Sequence, residues 1–380
     1  MFKSGKIWFG ALVFLAGCTT PVHRPTQPGN WSDVPPLTEP PPFVAPVVPA
    51  PPALTKEPSV SPPVLHTNAP VDLWVPLRRW AAETGAGTLR CVAPPPSPAF
   101  ALVNTNGDFV FRVHTRVANW NGLDLQLGFA PQWTNGQIYV HSLDLRKNVD
   151  PLINPSLRPV ASHRIIVLDP GHGGISAGTP SVLGRGHEKD YTLDWAFRLS
   201  ELLAAQGWQV FLTRTNDCGI SLSNRVAFAE AHRADLFLSL HFNSAAPDRT
   251  QAGLETYCLT PRGMPSNLLR TAEDDASLSF INNQFDAANL QLAAQLHRSL
   301  LRINGQHDRG VRHARFLGVL RGQNRPAVLI EGGYLSNPYE ARRIADPAYR
   351  QLLAQAVAEA LPAPGLESGP LKLLKEPISH

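Results

Sequence analysis

The chain has 380 residues, 43% of them hydrophobic, with 37 prolines and a formal net charge of +4. That length suits about two domains with a sizeable core, and the uneven spread of prolines separates linker from domain. The positive balance is mild and lacks the aromatic and basic interleaving of single-strand binders, which argues against nucleic acid as a partner and is compatible with a polyanionic wall or a membrane surface.

Residues 1–6, MFKSGK, are basic, and the IWFGALVFLAG that follows is apolar but short for a transmembrane helix. This is the anatomy of a signal peptide. The run ends Leu15-Ala16-Gly17-Cys18, which resembles a bacterial lipoprotein lipobox. The resemblance implies that residues 1–18 are a lipoprotein signal with Cys18 lipidated, so that the chain is anchored to a membrane on the periplasmic side. Thr19 in place of aspartate favours the outer membrane. Residues 19–70 contain PPLTEPPPFVAPVVPAPPALTKEPSVSPP, which cannot pack a core and reads as a semi-rigid spacer.

Residues 71–155 read as a small α+β domain. VDLWVPLRRWAAETG has apolar residues at helical spacing, and the short runs FALVNTN, DFVFRVHT, LDLQLGFA and QIYVHSLDL are punctuated by Asn106-Gly107, Asn121-Gly122 and Asn135-Gly136. Those pairs are hairpin signals. Through WVPLRRWAAETG and GQIYVHSLDL the unit resembles the stalk-like domains related to the N-terminal domain of copper amine oxidases. Copper is not carried over, because those domains are not the copper site. Wall binding and a folded spacer are both open roles.

From residue 164 to 361 strand-like and helix-like runs alternate: IIVLD, YTLDWAFRLSELLAAQG, WQVFLTR, LSNRVAFAEAHR, ADLFLSLHFN and GLETYCLT, a long helical run at 286–302, FLGVL and PAVLIEGG, then helical runs at 338–344 and 348–361. The pattern predicts an α/β domain, an open, twisted, mostly parallel sheet flanked by helices. The tail at 362–380 follows. Cys91, Cys218 and Cys258 remain after Cys18. In an oxidising periplasm Cys218 and Cys258 are a candidate bridge, and with no CxxC pair a thiolate zinc site is not expected.

In open α/β sheets functional residues gather beyond the carboxyl ends of the strands. His172 follows IIVLD, His241 ends LFLSL and Glu331 ends AVLI, while Glu188 lies in the loop GRGHEKD before the first helix, with His187 beside it as a rival ligand. Two imidazoles and a carboxylate are a frequent zinc set, and a second carboxylate nearby can serve as general base, which is the logic of metal-assisted amide hydrolysis. Taken singly, each residue has a plain alternative: a loop histidine, a satisfied core histidine, a helix-capping glutamate. Glu331, between an apolar run and two glycines, needs a partner, a proton or a metal if it is buried.

LDPGHGG, GHEKDYTLDWAFRLSELLAAQGWQVFLTR, ADLFLSLHFNS, DRGVRHARFLGVL and PAVLIEGGYLSNPYEA resemble, in order and over residues 164–361, the zinc-dependent N-acetylmuramoyl-L-alanine amidases of the amidase-3 family. The resemblance implies that His172, Glu188 and His241 bind Zn2+ and that Glu331 is catalytic, and it prefers Glu188 to His187. It further implies peptidoglycan as substrate, cut between N-acetylmuramic acid and L-alanine. A stem-peptide zinc peptidase and a catalytically silent wall-binding lipoprotein are the competing readings. Two departures stand out: the family has a larger residue at Gly332 and more often phenylalanine at Tyr334. Residues 262–283, RGMPSNLLRTAEDDASLSFINN, read as a substrate-side loop. Some members carry an autoinhibitory helix in this region, released by an activator protein, so an activator is a candidate partner.

Overall fold

The computed structural model describes residues 73–155, 163–268, 274–305 and 307–361. The expected signal peptide with Cys18, the proline-rich spacer and the tail at 362–380 lie outside the described residues.

The upstream unit opens with β1 (Trp74–Pro76) and α1 (Leu77–Thr84). It continues through β2 (Thr88–Ala93), β3 (Ala99–Asn104), β4 (Gly107–Arg112), β5 (Val117–Trp120), β6 (Leu123–Gln126), β7 (Gln132–Thr134) and β8 (Gln137–His141). It closes with α2 (Ser142–Asp144), a π-helical turn at Leu145–Val149 and α3 (Asp150–Ile153). Asn121-Gly122 (φ 51° and 83°) and Asn135-Gly136 (φ 53° and 72°) provide two consecutive residues of positive φ. That is what a two-residue hairpin turn requires, and these turns join β5 to β6 and β7 to β8. Alternation along β4 sends Phe109 and Phe111 into the core.

Downstream come β9 (Ile165–Pro170), α4 (Glu188–Ala205), β10 (Gln209–Leu212), α5 (Leu222–Ala231), β11 (Leu236–Asn243) and β12 (Leu254–Cys258). A 3-10 turn at Ile281–Phe285 leads into α6 (Asp286–Asn304), β13 (Asp308–His313), α7 (Gly318–Arg321), β14 (Ala327–Tyr334), α8 (Pro338–Ala345) and α9 (Pro347–Ala360). β10, β9, β11 and β14 are parallel neighbours. β12 then runs antiparallel to β14, with β13 parallel to β12. The sheet is therefore a mixed one around a parallel centre, with helices packed against it. FLGVL supplies the helical turn α7, and the strand of this stretch is DRGVRH, whose charged side chains bind neighbouring strands and so hide its strand character.

The sheet does not stop at the boundary between the two units. β13 pairs in parallel with β6, Val311 opposite Leu125, to give an eleven-stranded sheet in the order β10-β9-β11-β14-β12-β13-β6-β5-β4-β3-β2. Across the seam Asp124 N donates to Asp308 Oδ2 (2.8 Å), Arg298 donates to the carbonyls of Asn121 (2.8 Å) and Trp120 (3.0 Å), and Gln291 Nε2 donates to Pro151 O (2.7 Å). Lys147 pairs with Asp286 at 2.9 Å. One hydrophobic core runs through both units, including Phe109, Trp120 and Leu125 upstream and Leu168, Trp195, Leu300 and Leu353 downstream. A second, smaller core on the other face gathers Val167, Phe237, Tyr257, Leu320 and Leu329. The candidate disulfide is not formed: Cys218 is exposed and Cys258 is buried, both as free thiols.

Candidate metal centre

β9 ends where IIVLDP gives way to Gly171, and His172 follows at φ 62°. A non-glycine residue in the left-handed region costs about 1 kcal/mol or more, so the neighbouring structure must hold it. Two arginines do. Arg225 donates to the carbonyls of His172 (2.7 Å) and Pro170 (2.9 Å). Arg214 donates to those of Pro170 (3.0 Å) and Gly171 (2.9 Å). Arg225 is itself paired at 2.5 Å with Asp169, the side chains being 5% and 2% exposed. Asp169 also accepts from Thr213 (2.6 Å) and Ser239 (2.7 Å). Behind the loop lies a buried, fully engaged polar block that fixes the path of residues 170–172.

Glu188, the first residue of α4, is 3% exposed. Each carboxylate oxygen meets one backbone N–H and one imidazole. Oε1 accepts from Phe242 N (3.1 Å) and faces His241 Nδ1 (2.8 Å). Oε2 accepts from Thr179 N (3.0 Å) and faces His172 Nε2 (3.1 Å). Burial pushes the Glu188 carboxyl up, but His172 and His241 outweigh it and hold it far below the usual carboxylate range. The two rings stand 5.0 Å apart at 75°, and one ligand atom from each of His172, Glu188 and His241 lies within 4.8 Å of the others. A Cβ on Gly178, at φ 70°, would come within 2.6 Å of Glu188 and 2.8 Å of His172. Only glycine fits there.

This set suits a cation. It combines two imidazoles with one buried carboxylate whose orientation is fixed by backbone donors, and the remote Nδ1 of His172 sits 3.0 Å from Ser176 Oγ. A ligating imidazole normally has such a partner on its other nitrogen. His187 is exposed, and its backbone N–H donates to Asp190 at the start of α4 (3.0 Å). It is not among the residues brought together.

Glu331 on β14 is the register partner of His241 on β11 and of Glu255 on β12. Directly paired residues project to the same face of a sheet, so Glu331 borders the His–Glu–His set. Gly332 leaves room that other side chains take up: a Cβ there would meet Phe242 at 2.9 Å and Trp195 at 3.0 Å. The Tyr334 hydroxyl donates to Glu255 Oε1 (3.0 Å), which gives the extra oxygen a buried acceptor. The described part of residues 262–283 packs against the strands and the upstream unit. Asp274 pairs with Arg315 and accepts from Ser266 N (2.7 Å), and Asn282 donates to Gln323 O (3.2 Å) and Arg325 O (2.8 Å). Residues 269–273 lie outside the described residues.

Arg214, Arg225, Asp169 and Glu255 escape a reading of the sequence that looks for motifs at strand ends. The signal available was charge inside otherwise apolar runs: LDP, FLTR and GLETY each bury an ionic residue that must be paired.

A mixed α/β sheet with a parallel centre, a His–Glu–His set able to hold a metal ion and a second glutamate beside it has the layout of a hydrolase working at the carboxyl edge of its parallel strands. Residues 166–363 match the family profile described as N-acetylmuramoyl-L-alanine amidase, and the chain belongs to that family. It is 30% identical over 230 residues to the N-acetylmuramoyl-L-alanine amidase AmiA of Salmonella typhimurium, covering 54% of this chain and 78% of that protein. With AmiA of Escherichia coli it shares 29% identity over 261 residues, 62% of this chain and 89% of that one. Among solved structures, an N-acetylmuramoyl-L-alanine amidase from Clostridium difficile is similar at 30% identity with a TM-score of 0.43, covering 52% of this chain and 93% of that chain.

Proposed function

We propose that the chain is a zinc-dependent peptidoglycan amidase, with His172, Glu188 and His241 holding the ion and Glu331 acting as general acid and base. The observation that carries this reading is the convergence of three ligand atoms within 4.8 Å, with Glu331 paired in register beside His241. Zinc bound there would lower the pKa of a water and polarise the scissile carbonyl, so neither a serine nor a cysteine nucleophile is needed. The Glu331 carboxylate takes a proton from the attacking water and returns it to the nitrogen of L-alanine as the amide to the lactyl group of N-acetylmuramic acid breaks. Glu188 holds both imidazoles in place, and the Arg214–Arg225 block holds the backbone that presents His172.

The reading extends to the ends of the chain. Lipidation at Cys18 would tether the enzyme to the periplasmic face of a membrane, the outer membrane in preference to the inner, and residues 19–70 would let it reach the wall. No helix of the described residues is long and apolar enough to cross a membrane.

The test is digestion of isolated sacculi by the full chain, with product analysis by mass spectrometry. Stem peptides beginning at L-alanine should be released, a chelator should stop the release and zinc should restore it. Glu331→Gln should lower turnover by at least about a hundredfold while zinc content stays at that of the wild type. Cleavage within the stem peptide would make the protein a peptidase instead, and a Glu331→Gln variant of full activity would remove that residue from the chemistry.

A further inference from the structure

β12 and β13 run opposite to the parallel strands, so it is their starts, not their ends, that reach the carboxyl edge of the sheet. There they deliver an ionic cluster centred on Glu255, which is 1% exposed. Its carboxylate takes five donors: Arg312 Nη1 (2.6 Å), Arg309 Nε (2.7 Å), Tyr257 Oη (2.7 Å), Asn243 Nδ2 (2.7 Å) and Tyr334 Oη (3.0 Å). Burial pushes the Glu255 carboxyl up, but Arg312 and Arg309 outweigh it and keep it below its ordinary value. One carboxylate thus holds two guanidinium groups, with Glu331 on the neighbouring strand as the next acidic side chain. The arginines are not sealed in with their partner: their side chains remain 24% and 19% exposed. Arg309 uses Nη1 on Gln251 Oε1 (2.9 Å) and lies 5.1 Å from the Tyr334 ring centroid. The Nη2 groups of both arginines have no acceptor among the described residues.

Position gives these guanidinium groups a use. Glu255 is the cross-strand partner of Glu331, so the guanidinium groups gathered on Glu255 lie about one strand spacing, roughly 4.8 Å, from the strand that carries the general base. In a peptidoglycan stem the residue after L-alanine is D-glutamate or its amide, one Cα step of about 3.8 Å further on. We infer that Arg309 and Arg312, held by Glu255, form a subsite for the carboxylate of the acidic residue that follows L-alanine in the substrate. The inference rests on the amidase reading above. Guanidinium groups fixed from behind by a buried carboxylate are well suited to the task, because their orientation does not have to be acquired on binding. Arg309 and Arg312 are specificity residues here and Glu255 is a positioning residue.

The test uses the zinc-loaded full chain and two synthetic N-acetylmuramoyl dipeptides that differ only in the residue after L-alanine, a free D-glutamate carboxylate in one and its primary amide in the other. The expected preference for the carboxylate form in kcat/KM is on the order of 10- to 100-fold. Arg309→Gln and Arg312→Gln should each erase most of it by raising KM for the carboxylate substrate, with kcat and the amide substrate little changed. Calorimetric binding of the two released dipeptides, L-Ala-D-Glu and its amide, to the wild-type chain reads the subsite without turnover and without a variant that has to fold. The carboxylate form should bind about tenfold tighter or better. Absence of turnover with this binding difference intact would sink the amidase reading and leave the subsite standing. Equal binding of the two dipeptides, or arginine variants that slow both substrates alike, would overturn the subsite and reduce the arginines to counter-ions of Glu255.

Discussion

Two backbone N–H groups and two imidazoles surround the carboxylate of Glu188, which is 3% exposed. A buried negative charge so placed asks for a cation, and the expected result of Glu188→Gln is loss of most metal affinity, by a factor on the order of 100 or more. Competition against a zinc-responsive chelating dye measures it, and an unchanged affinity would remove Glu188 from the ligand set. At Gly332 a methyl group would press on Phe242, Trp195 and Leu353. Gly332→Ala should cost about 1–3 kcal/mol by denaturant unfolding. At this scale the sequence marks GHGG, the histidine in β11 and the glutamate in β14 as odd in their setting, whereas Glu188, at the start of α4, reads by itself as ordinary helix capping. Spacing could not choose between His187 and Glu188. The structure separates them, since the helix that begins at Glu188 turns that side chain inward and leaves His187 exposed.

Elements explain what single residues cannot. The loop after β9 is held by side chains from α5 and from the loop after β10, chiefly Arg225 and Arg214, whose guanidinium groups read the carbonyls of residues 170–172. Removing Arg225 leaves Asp169 buried without its ion-pair partner, so Arg225→Met should destabilise the chain by about 3–5 kcal/mol. It should also weaken metal binding about 10- to 100-fold, as loss of an outer support usually does. A normal affinity in a folded variant would show that His172 does not depend on this clamp. Within the upstream unit, Asp144 at α2 is fully buried and accepts from Gly128 N (2.7 Å), Phe129 N (2.9 Å) and Asn148 Nδ2 (2.8 Å). Burial outweighs those donors and raises its pKa to about 6. A carboxyl raised on folding contributes stability that is fully present below the unfolded pKa near 3.9 and is lost as pH rises through about 6. Wild type should therefore lose about 2–3 kcal/mol relative to Asp144→Asn between pH 4 and pH 7. Unfolding curves at the two pH values decide it, and a gap that does not change with pH would contradict the assignment. Sequence periodicity found α5, α6, α8 and α9 within a residue or two, but it ran α1 through β1 and passed over the short α2, α3 and α7. It missed β13 because DRGVRH is charged, with its two arginines and its aspartate committed to neighbours.

Across the whole molecule the upstream unit is an extension of the catalytic sheet and shares its core. Sequence composition could mark a change of pattern near residue 156, but the pairing of Leu125 with Val311 is a long-range contact with no local signature. Deleting residues 73–155 would expose β13 as an edge strand and leave Arg298, Gln291 and Asp308 without the partners they hold across the seam. The truncated chain should melt well below the intact one or aggregate, as thermal unfolding monitored by circular dichroism would show. An equal melting temperature would mean that the catalytic sheet is complete without it. The most direct measurement of the central claim is made on the full chain: zinc content by elemental analysis alongside mass spectrometry of the peptides released from sacculi. One zinc per chain, lost in His172→Ala and His241→Ala together with release of peptides that begin at L-alanine, is the expected result. Release that persists in the zinc-free variants would contradict the account.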